Sequence, residues 1–94
     1  MKFAYHAAMC PADQYLPLCQ AAERIGFDTF TFPDSICFPK EGSDVYPYNS
    51  DGTREFLEGV PFLEPFVAIP YLAAQTERIR FSTSVMKLAV RQPA

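Results

Sequence analysis

The stretch from Ile25 to Ser35 constrains the fold of this chain more than any other. Gly26 follows an apolar periodic segment and suits the left-handed conformation that ends a helix. Thr29 to Phe32 then alternates β-branched and aromatic residues, which predicts a short strand that a proline ends. Asp34 and Ser35 therefore follow the carboxyl end of a strand, and this is the edge at which parallel α/β folds bind ligands.

The segment before this stretch predicts one strand and one helix. Lys2 to His6 has strand composition, and Asp13 is a suitable N-cap for a helix. Apolar residues then recur every three or four positions, which is the period of an amphipathic helix whose buried face would carry Leu18, Cys19, Ala22 and Ile25. A proline at position 17 requires that the helix begin close to it.

The second half predicts a helix and a third strand. Phe62 to Thr76 is apolar on nearly all sides, with Pro65 as a possible first helical residue and Pro70 as a kink. Ile79 to Val85 predicts a strand, with Met86 to Val90 continuing in extended form. One face of that strand would carry Ile79, Phe81, Thr83 and Val85. The order strand, helix, strand, helix, strand predicts an α/β fold with parallel pairing.

Residues 33–61 are rich in proline and glycine and predict a long irregular loop. A loop of this length in a compact domain is usually either an active-site lid or a disordered segment. Aromatic residues near Tyr46 to Asn49 favour the active-site interpretation, because a solvated linker would rarely carry them.

Composition excludes several classes of function. The chain has 94 residues, enough for one small domain, and a net charge of −3 with scattered basic residues, which argues against nucleic-acid or anionic-membrane binding. No apolar run approaches the roughly 20 residues of a membrane span. Cys10, Cys19 and Cys37 lack metal-ligand spacing, and an odd cysteine count favours reduced thiols in the cytoplasm and no metal site.

Three polar residues would meet at one edge of a parallel sheet. His6 ends the first predicted strand, Asp34 follows the second, and Ser84 closes the third. A histidine beside a carboxylate could perform acid–base chemistry, so His6 and Asp34 are candidate catalytic residues. The alternatives are a solvated histidine and a turn aspartate. Ser82, Thr83 and Ser84 would let a planar ring approach the backbone, although a partly hydrated strand explains them equally well.

Three segments resemble the amino-terminal part of the bacterial luciferase-like monooxygenase family. The first segment begins with Gly-Phe-Asp-Thr-Phe at Gly26 and continues to Asp34. The second is Thr-Glu-Arg-Ile-Arg-Phe-Ser-Thr-Ser-Val, from Thr76 to Val85, and the third is Arg-Gln-Pro, which begins at Arg91. The resemblance implies a (β/α)₈ barrel, of which this chain would be an amino-terminal fragment with about three parallel strands and two helices. A fragment of this kind is expected to be inactive alone.

The resemblance also implies a set of cofactor-binding residues. Asp34 matches the acidic position near a flavin-type ring, and Ser35 stands where deazaflavin sugar-phosphate dehydrogenases have a histidine that assists hydride transfer. Thr83, Ser84 and Val85 match a bulge at which the family holds a non-proline cis peptide behind the ring.

The resemblance implies an oxidoreductase that moves a hydride between a small organic substrate and deazaflavin coenzyme F-420. His6 and the loop from Tyr46 to Asn49 would face the substrate. One alternative is an FMN-dependent monooxygenase, and another is a non-catalytic fragment or flavin-binding paralogue. The full-length parent is expected to be a cytoplasmic homodimer with no metal, no nucleic-acid partner and no membrane association.

Overall fold

Three parallel strands and two α-helices form the fold. A computed structural model describes residues 1–35, 45–47 and 49–92. The elements are β1 (Ala4–His6), α1 (Tyr15–Ile25), β2 (Thr29–Phe32), α2 (Pro65–Ala73) and β3 (Arg80–Thr83). The sheet has the order β1-β2-β3, and each neighbouring pair is parallel. The α/β class and the parallel pairing predicted from the sequence are confirmed.

Helix α1 begins later than the sequence suggested. Residues Ala12–Gln14 form a 3-10 turn, and Tyr15 opens the α-helix with Gln14 as a cap that makes no side-chain bond. The predicted N-cap role of Asp13 is therefore wrong, because Asp13 lies inside the 3-10 turn. Pro17 falls in the first helical turn, where the backbone N–H that it lacks would have no partner within the helix.

The buried face of α1 carries Tyr15, Cys19 and Ala22, at the four- and three-residue spacing of a helix. Ile25 is 75% exposed, so its predicted place on this face is wrong. Successive residues of a helix are rotated by about 100°, which places Ile25 beside the buried face and not on it. Ile25 is also the last residue of the helix. The end itself follows the prediction, since Gly26 has φ 95° and the Phe27 N–H donates to the Ala22 carbonyl at 2.9 Å.

Helix α2 is shorter than the predicted range Phe62 to Thr76: it begins at Pro65, the possible first residue, and ends at Ala73. Glu64 is the N-cap, and its Oε2 accepts the Val67 N–H at 2.9 Å. The buried residues are again spaced by three and four positions: Pro65, Ala68 and Leu72. Pro70 lies within the helix on the exposed side.

The core lies between the helices and one face of the sheet. Phe30 and Phe32 of β2 are fully buried. Tyr5 stacks on Phe30 with ring centroids 5.5 Å apart, and Tyr15 stacks on Phe32 at 5.4 Å. The first contact joins β1 to β2 and the second fixes α1 against β2, and both bury large apolar areas. The other face of the sheet carries polar residues, including Thr31 and Ser82, whose hydroxyl oxygens lie 2.8 Å apart.

The third strand is shorter than predicted. Its face alternates as expected, with Phe81 and Thr83 half-buried and Arg80 and Ser82 exposed. Val85 does not continue the buried face and is 71% exposed. The predicted extended segment after the strand is also wrong, because Leu88–Val90 forms a 3-10 turn.

A carboxylate of α1 holds the turn that enters β3. Glu23 Oε1 accepts the backbone N–H groups of Glu77, Arg78 and Ile79 at 3.0, 2.6 and 2.9 Å. These three bonds lower the pKa of Glu23, with those from Arg78 and Ile79 contributing most. One side chain thus joins α1 to the start of a strand more than fifty positions away.

Two of the cysteines are free thiols, Cys10 and Cys19. Burial raises the pKa of Cys19 to about 11, with a smaller contribution from Glu23, so the thiol stays protonated at neutral pH. Cys19 is therefore a core residue of α1 and not a nucleophile. Cys37 lies outside the described residues.

Phe30 is the residue whose truncation should damage the fold most. Phe30→Ala should lower the free energy of unfolding by about 3–5 kcal/mol, because it removes a fully buried ring and leaves a cavity. The measurement is chemical denaturation followed by circular dichroism. Ile25→Ala is the control, since that side chain is 75% exposed. Equal losses for the two variants would contradict the assigned core.

Candidate functional site

The carboxyl ends of the three strands lie side by side at one edge of the sheet. His6 pairs in register with Thr31, and Phe32 pairs with Thr83. Beyond the strands, the Ser84 N–H donates to the Phe32 carbonyl at 2.8 Å. The sequence stretches that follow β1, β2 and β3 therefore emerge together, as the parallel order requires.

Asp34 is the most heavily bonded side chain at this edge, and only 1% of its surface is exposed. Arg91 donates to it twice, from Nη2 to Oδ1 at 2.5 Å and from Nε to Oδ2 at 3.2 Å. The backbone N–H of Lys87 also donates to Oδ2, at 2.9 Å. Both carboxylate oxygens are thus bonded to the segment that follows β3. A buried charge without such partners would cost several kcal/mol.

Arg91 extends this contact to α2. Its Nη2 lies 2.7 Å from Glu64 Oε1, and its guanidinium carbon lies 4.5 Å from the centre of the Phe66 ring. The planar guanidinium can serve a carboxylate in bidentate fashion and still stack on an aromatic ring. Asp34, Glu64 and Phe66 together hold Arg91 between the end of β2 and the start of α2.

The charges in this cluster reinforce one another. Hydrogen bonding from Arg91, then from the Lys87 N–H, holds the pKa of Asp34 below its usual value of about 3.8, although burial opposes this. The same contacts raise the pKa of Arg91, with Asp34 contributing more than Glu64. Asp34 is therefore an ionised carboxylate at neutral pH and a poor proton donor.

A second contact joins the same two segments at the surface. The Lys87 Nζ donates to the Ser35 Oγ at 3.1 Å. Lys87 is exposed and Ser35 is half-buried, so the ammonium group faces solvent beside the strand ends. This places a positive charge where an anionic group of a ligand could meet it.

The backbone beyond β3 is open to solvent. Ser84 is exposed, and Val85 and Met86 are 71% and 41% exposed. The peptide bond that joins Ser84 to Val85 is cis, as the family resemblance implied. The edge therefore combines small polar residues with apolar side chains that nothing in the described part of the chain covers.

The three predicted polar residues are near neighbours in topology but not one bonded group. His6 is exposed, and in the ranges that the structure describes no hydrogen bond or ion pair joins it to Asp34 or Ser84. Asp34 instead faces Arg91, which the sequence analysis did not identify as its partner. Asp34 and Arg91 are 57 positions apart in the sequence, and no local sequence pattern predicts a contact over that distance.

The described parts of the predicted loop are held by their own contacts. The Tyr46 N–H donates to the Gly52 carbonyl at 2.8 Å, and Asn49 Nδ2 donates to the Thr53 carbonyl at 2.7 Å. The rings of Tyr46 and Phe56 meet edge to face at 5.3 Å. The active-site role of this loop stays a prediction. Residues 36–44 and 48, which belong to it, lie outside the described residues.

A separate cavity of about 440 Å³ lies between α1 and α2. Its walls include Leu16 and Tyr15 of α1 and Val67 and Tyr71 of α2, so they are mostly apolar. Among the residues that the structure describes, none makes a hydrogen bond to the buried Tyr15 hydroxyl. Burial raises the pKa of Tyr15 to about 12, with the Cys10 thiol adding to the effect. Asp13 and Glu64 also line this cavity, and Glu64 is the carboxylate that lies 2.7 Å from Arg91.

Neither metal ligands nor a membrane span were found in the part of the chain that the structure describes. Within residues 1–35, 45–47 and 49–92, no three histidine, cysteine, aspartate or glutamate side chains are placed to hold a metal ion. None of the helices in those ranges has the length and apolar character to cross a bilayer.

Comparison with known proteins identifies the family. The family model described as luciferase-like monooxygenase matches residues 3–94, nearly the whole chain. The chain belongs to the luciferase-like monooxygenase family. This fits an open sheet of three parallel strands and two helices, which is part of the α/β barrel that the resemblance implied.

Related proteins in this family come from mycobacteria. A protein of Mycobacterium bovis and proteins of two Mycobacterium tuberculosis strains, each described as uncharacterized, are 48% identical over 94 residues. The match covers all of this chain and 33% of each relative, so the chain spans about a third of the length of these relatives. No solved structure matches.

The carboxylate of Asp34 should give the fold an acid-sensitive stability. Because its folded pKa lies below its usual value of about 3.8, its contribution is complete above that value and is lost as the pH falls through the lower folded pKa. Asp34→Asn should therefore be less stable than the parent at neutral pH, and the difference should shrink below about pH 4. The measurement is the free energy of unfolding across pH 2–7. Parallel curves for parent and variant would contradict the ion pair.

Proposed function

We propose that the natural protein is an oxidoreductase that transfers a hydride between a small organic substrate and deazaflavin coenzyme F-420. The proposal rests on one observation above the others: the carboxyl edge of the sheet presents the half-buried Thr83 and the exposed Ser84 and Val85, and the buried Asp34 is bonded to the segment that continues from them. This edge is where barrel enzymes with parallel strands assemble their sites.

The residues at this edge suit a flavin-type ring. Thr83 and Ser84 have small side chains, so a planar ring could lie close to the backbone. Val85 offers an apolar surface that is 71% exposed without a ligand. With Ser35, these residues are the proposed cofactor-contacting set, and the buried Asp34 lies behind them, bonded to Lys87 and Arg91.

Each residue would have a limited task, because the bound ring itself supplies the hydride chemistry. Thr83, Ser84 and Val85 would support one face of the ring and exclude water from it. Lys87, bonded to Ser35, would attract an anionic group of the cofactor or substrate. His6 is exposed on the neighbouring strand end and would face the substrate, where it could hold or release a proton.

An FMN-dependent monooxygenase is the second candidate. The family description, luciferase-like monooxygenase, favours it. Ser35 also departs from the histidine that deazaflavin sugar-phosphate dehydrogenases of the family carry, so a sugar phosphate is a poor candidate for the substrate. A non-catalytic paralogue that binds flavin is the third candidate. For each candidate, we propose a cytoplasmic homodimer.

Titration of the natural protein with each cofactor tests the proposal. We expect deazaflavin to bind more tightly than FMN, and Ser84→Phe to abolish binding because its ring would fill the cofactor position. Cofactor fluorescence gives the binding constant, and circular dichroism confirms that the variant folds. Ala73→Phe is the control, because that exposed residue ends α2 and belongs neither to the strand edge nor to the lining of the cavity between α1 and α2.

The outcomes separate the three candidates. Tight binding of FMN alone, with oxygen-dependent turnover, would support the monooxygenase instead. Binding of either cofactor without turnover of any substrate would support the non-catalytic paralogue. If the natural protein binds neither deazaflavin nor FMN, the proposal is overturned.

A further inference from the structure

We infer that Asp34 is a positioning residue, which sets the shape of the cofactor-facing segment through Arg91 and the Lys87 backbone without touching the cofactor or exchanging protons with it. The inference rests on the proposed function for its link to the cofactor. Its structural part concerns residues 84–91 alone. It assigns to Asp34 a role different from the ring contact that the family resemblance implied.

The first argument is that Lys87 and Arg91 take up the hydrogen-bonding capacity of Asp34. Its Oδ1 takes one guanidinium N–H, and its Oδ2 takes another as well as the Lys87 N–H. The side chain is fully buried, with no exposed surface to offer a ring. A carboxylate in this state can shape the site but has little surface to present to a ligand.

The second argument is that hydrogen bonds fix the segment that follows β3 at its start, in its middle and near its end. The Ser84 N–H is held by the Phe32 carbonyl at the start of the segment. Asp34 then holds Lys87 in its middle and Arg91 near its end. Ser84 is therefore the first fixed point and Lys87, held by Asp34, is the second, with the exposed Val85 and Met86 between them.

The third argument is that α2 takes part in the same arrangement. Glu64 is the N-cap of α2 and also contacts Arg91 at 2.7 Å, and Phe66 in the first turn stacks on the guanidinium. Arg91 therefore fixes the segment relative to a helix as well as to β2. If the Asp34 carboxylate were lost, the Arg91 guanidinium would contact a single carboxylate, that of Glu64. The Lys87 N–H would lose its charged acceptor.

The test compares Asp34→Asn and Arg91→Lys with Asp13→Asn in the natural protein. Hydrogen exchange at the Lys87 amide should accelerate roughly tenfold or more in both test variants, because a charge-assisted bond is lost or weakened. Arg91→Lys is the milder change, since an ammonium group keeps the charge but cannot bind both oxygens in bidentate fashion. Asp13→Asn should exchange like the parent, because that carboxylate lies on the exposed turn before α1.

Cofactor binding and kinetics provide the second readout. Both test variants should weaken cofactor binding by roughly tenfold, while kcat at saturating cofactor and the pH profile of kcat stay close to the parent. A general acid or base would behave differently, since its removal typically lowers kcat by about 10²–10⁴-fold and removes a limb of the pH profile.

The results distinguish the inference from the proposed function. Unchanged Lys87 exchange in both variants would overturn the inference whatever the cofactor data. A collapse of kcat at saturating cofactor, with cofactor affinity unchanged, would also overturn it and would make Asp34 a catalytic residue. If the natural protein binds neither cofactor, the proposed function fails, and accelerated Lys87 exchange would still support the positioning role of Asp34 within the fold.

Discussion

The contact between Asp34 and Arg91 organises the carboxyl edge of this sheet. A buried carboxylate is stable only when its charge and its lone pairs are matched, and the matching groups here come from a segment 53 to 57 positions later in the chain. The requirement to satisfy Asp34 therefore dictates where residues 84–91 lie. Arg91 in turn meets Glu64 and Phe66, so one charged cluster joins β2, the exit of β3 and the start of α2.

A second carboxylate acts at the opposite end of the same strand. Glu23 of α1 accepts three backbone N–H groups at the entrance to β3, including that of Ile79. The strand is thus fixed at its entrance by α1 and at its exit by Asp34. Between the two points, the aromatic core around Phe30 and Phe32 provides the apolar burial that holds the helices on the sheet. The polar contacts determine geometry, and the core provides most of the stability.

This division explains how the carboxyl edge of the sheet can be open to solvent. Ser84 and Val85 contribute little to the core, since both are exposed, and their position is determined by bonds on either side of them. Residues whose side chains contribute little to the stability of the fold are available to contact a ligand. Enzymes generally place such groups on loops held by a rigid scaffold.

Local sequence signals predicted the elements best where one residue type decides the geometry. Gly26 and Pro65 marked a helix end and a helix start correctly, and β2 has the predicted bounds. Asp13 and Ile25 were misplaced, because the 3-10 turn before α1 shifts the helix start and the buried stripe rotates away from Ile25.

The site was only partly predictable. The parallel order of the strands brings their carboxyl ends together, and this followed from the alternation of elements along the sequence. The partner of Asp34 did not follow, because an arginine near a proline looks the same in sequence whether it is solvated or bound to a buried carboxylate. Only the folded chain places Arg91 and Glu64 beside each other.

The central claim is that the cofactor lies on the strand edge and not in the apolar cavity between the helices. The most direct measurement is the change in backbone amide chemical shifts of the natural protein, labelled with ¹⁵N, as deazaflavin or FMN is added. Our account expects the largest shifts at Ser35 and in the segment from Thr83 to Lys87. Shifts concentrated instead at Leu16, Val67 and Tyr71, which line the cavity between α1 and α2, would contradict it.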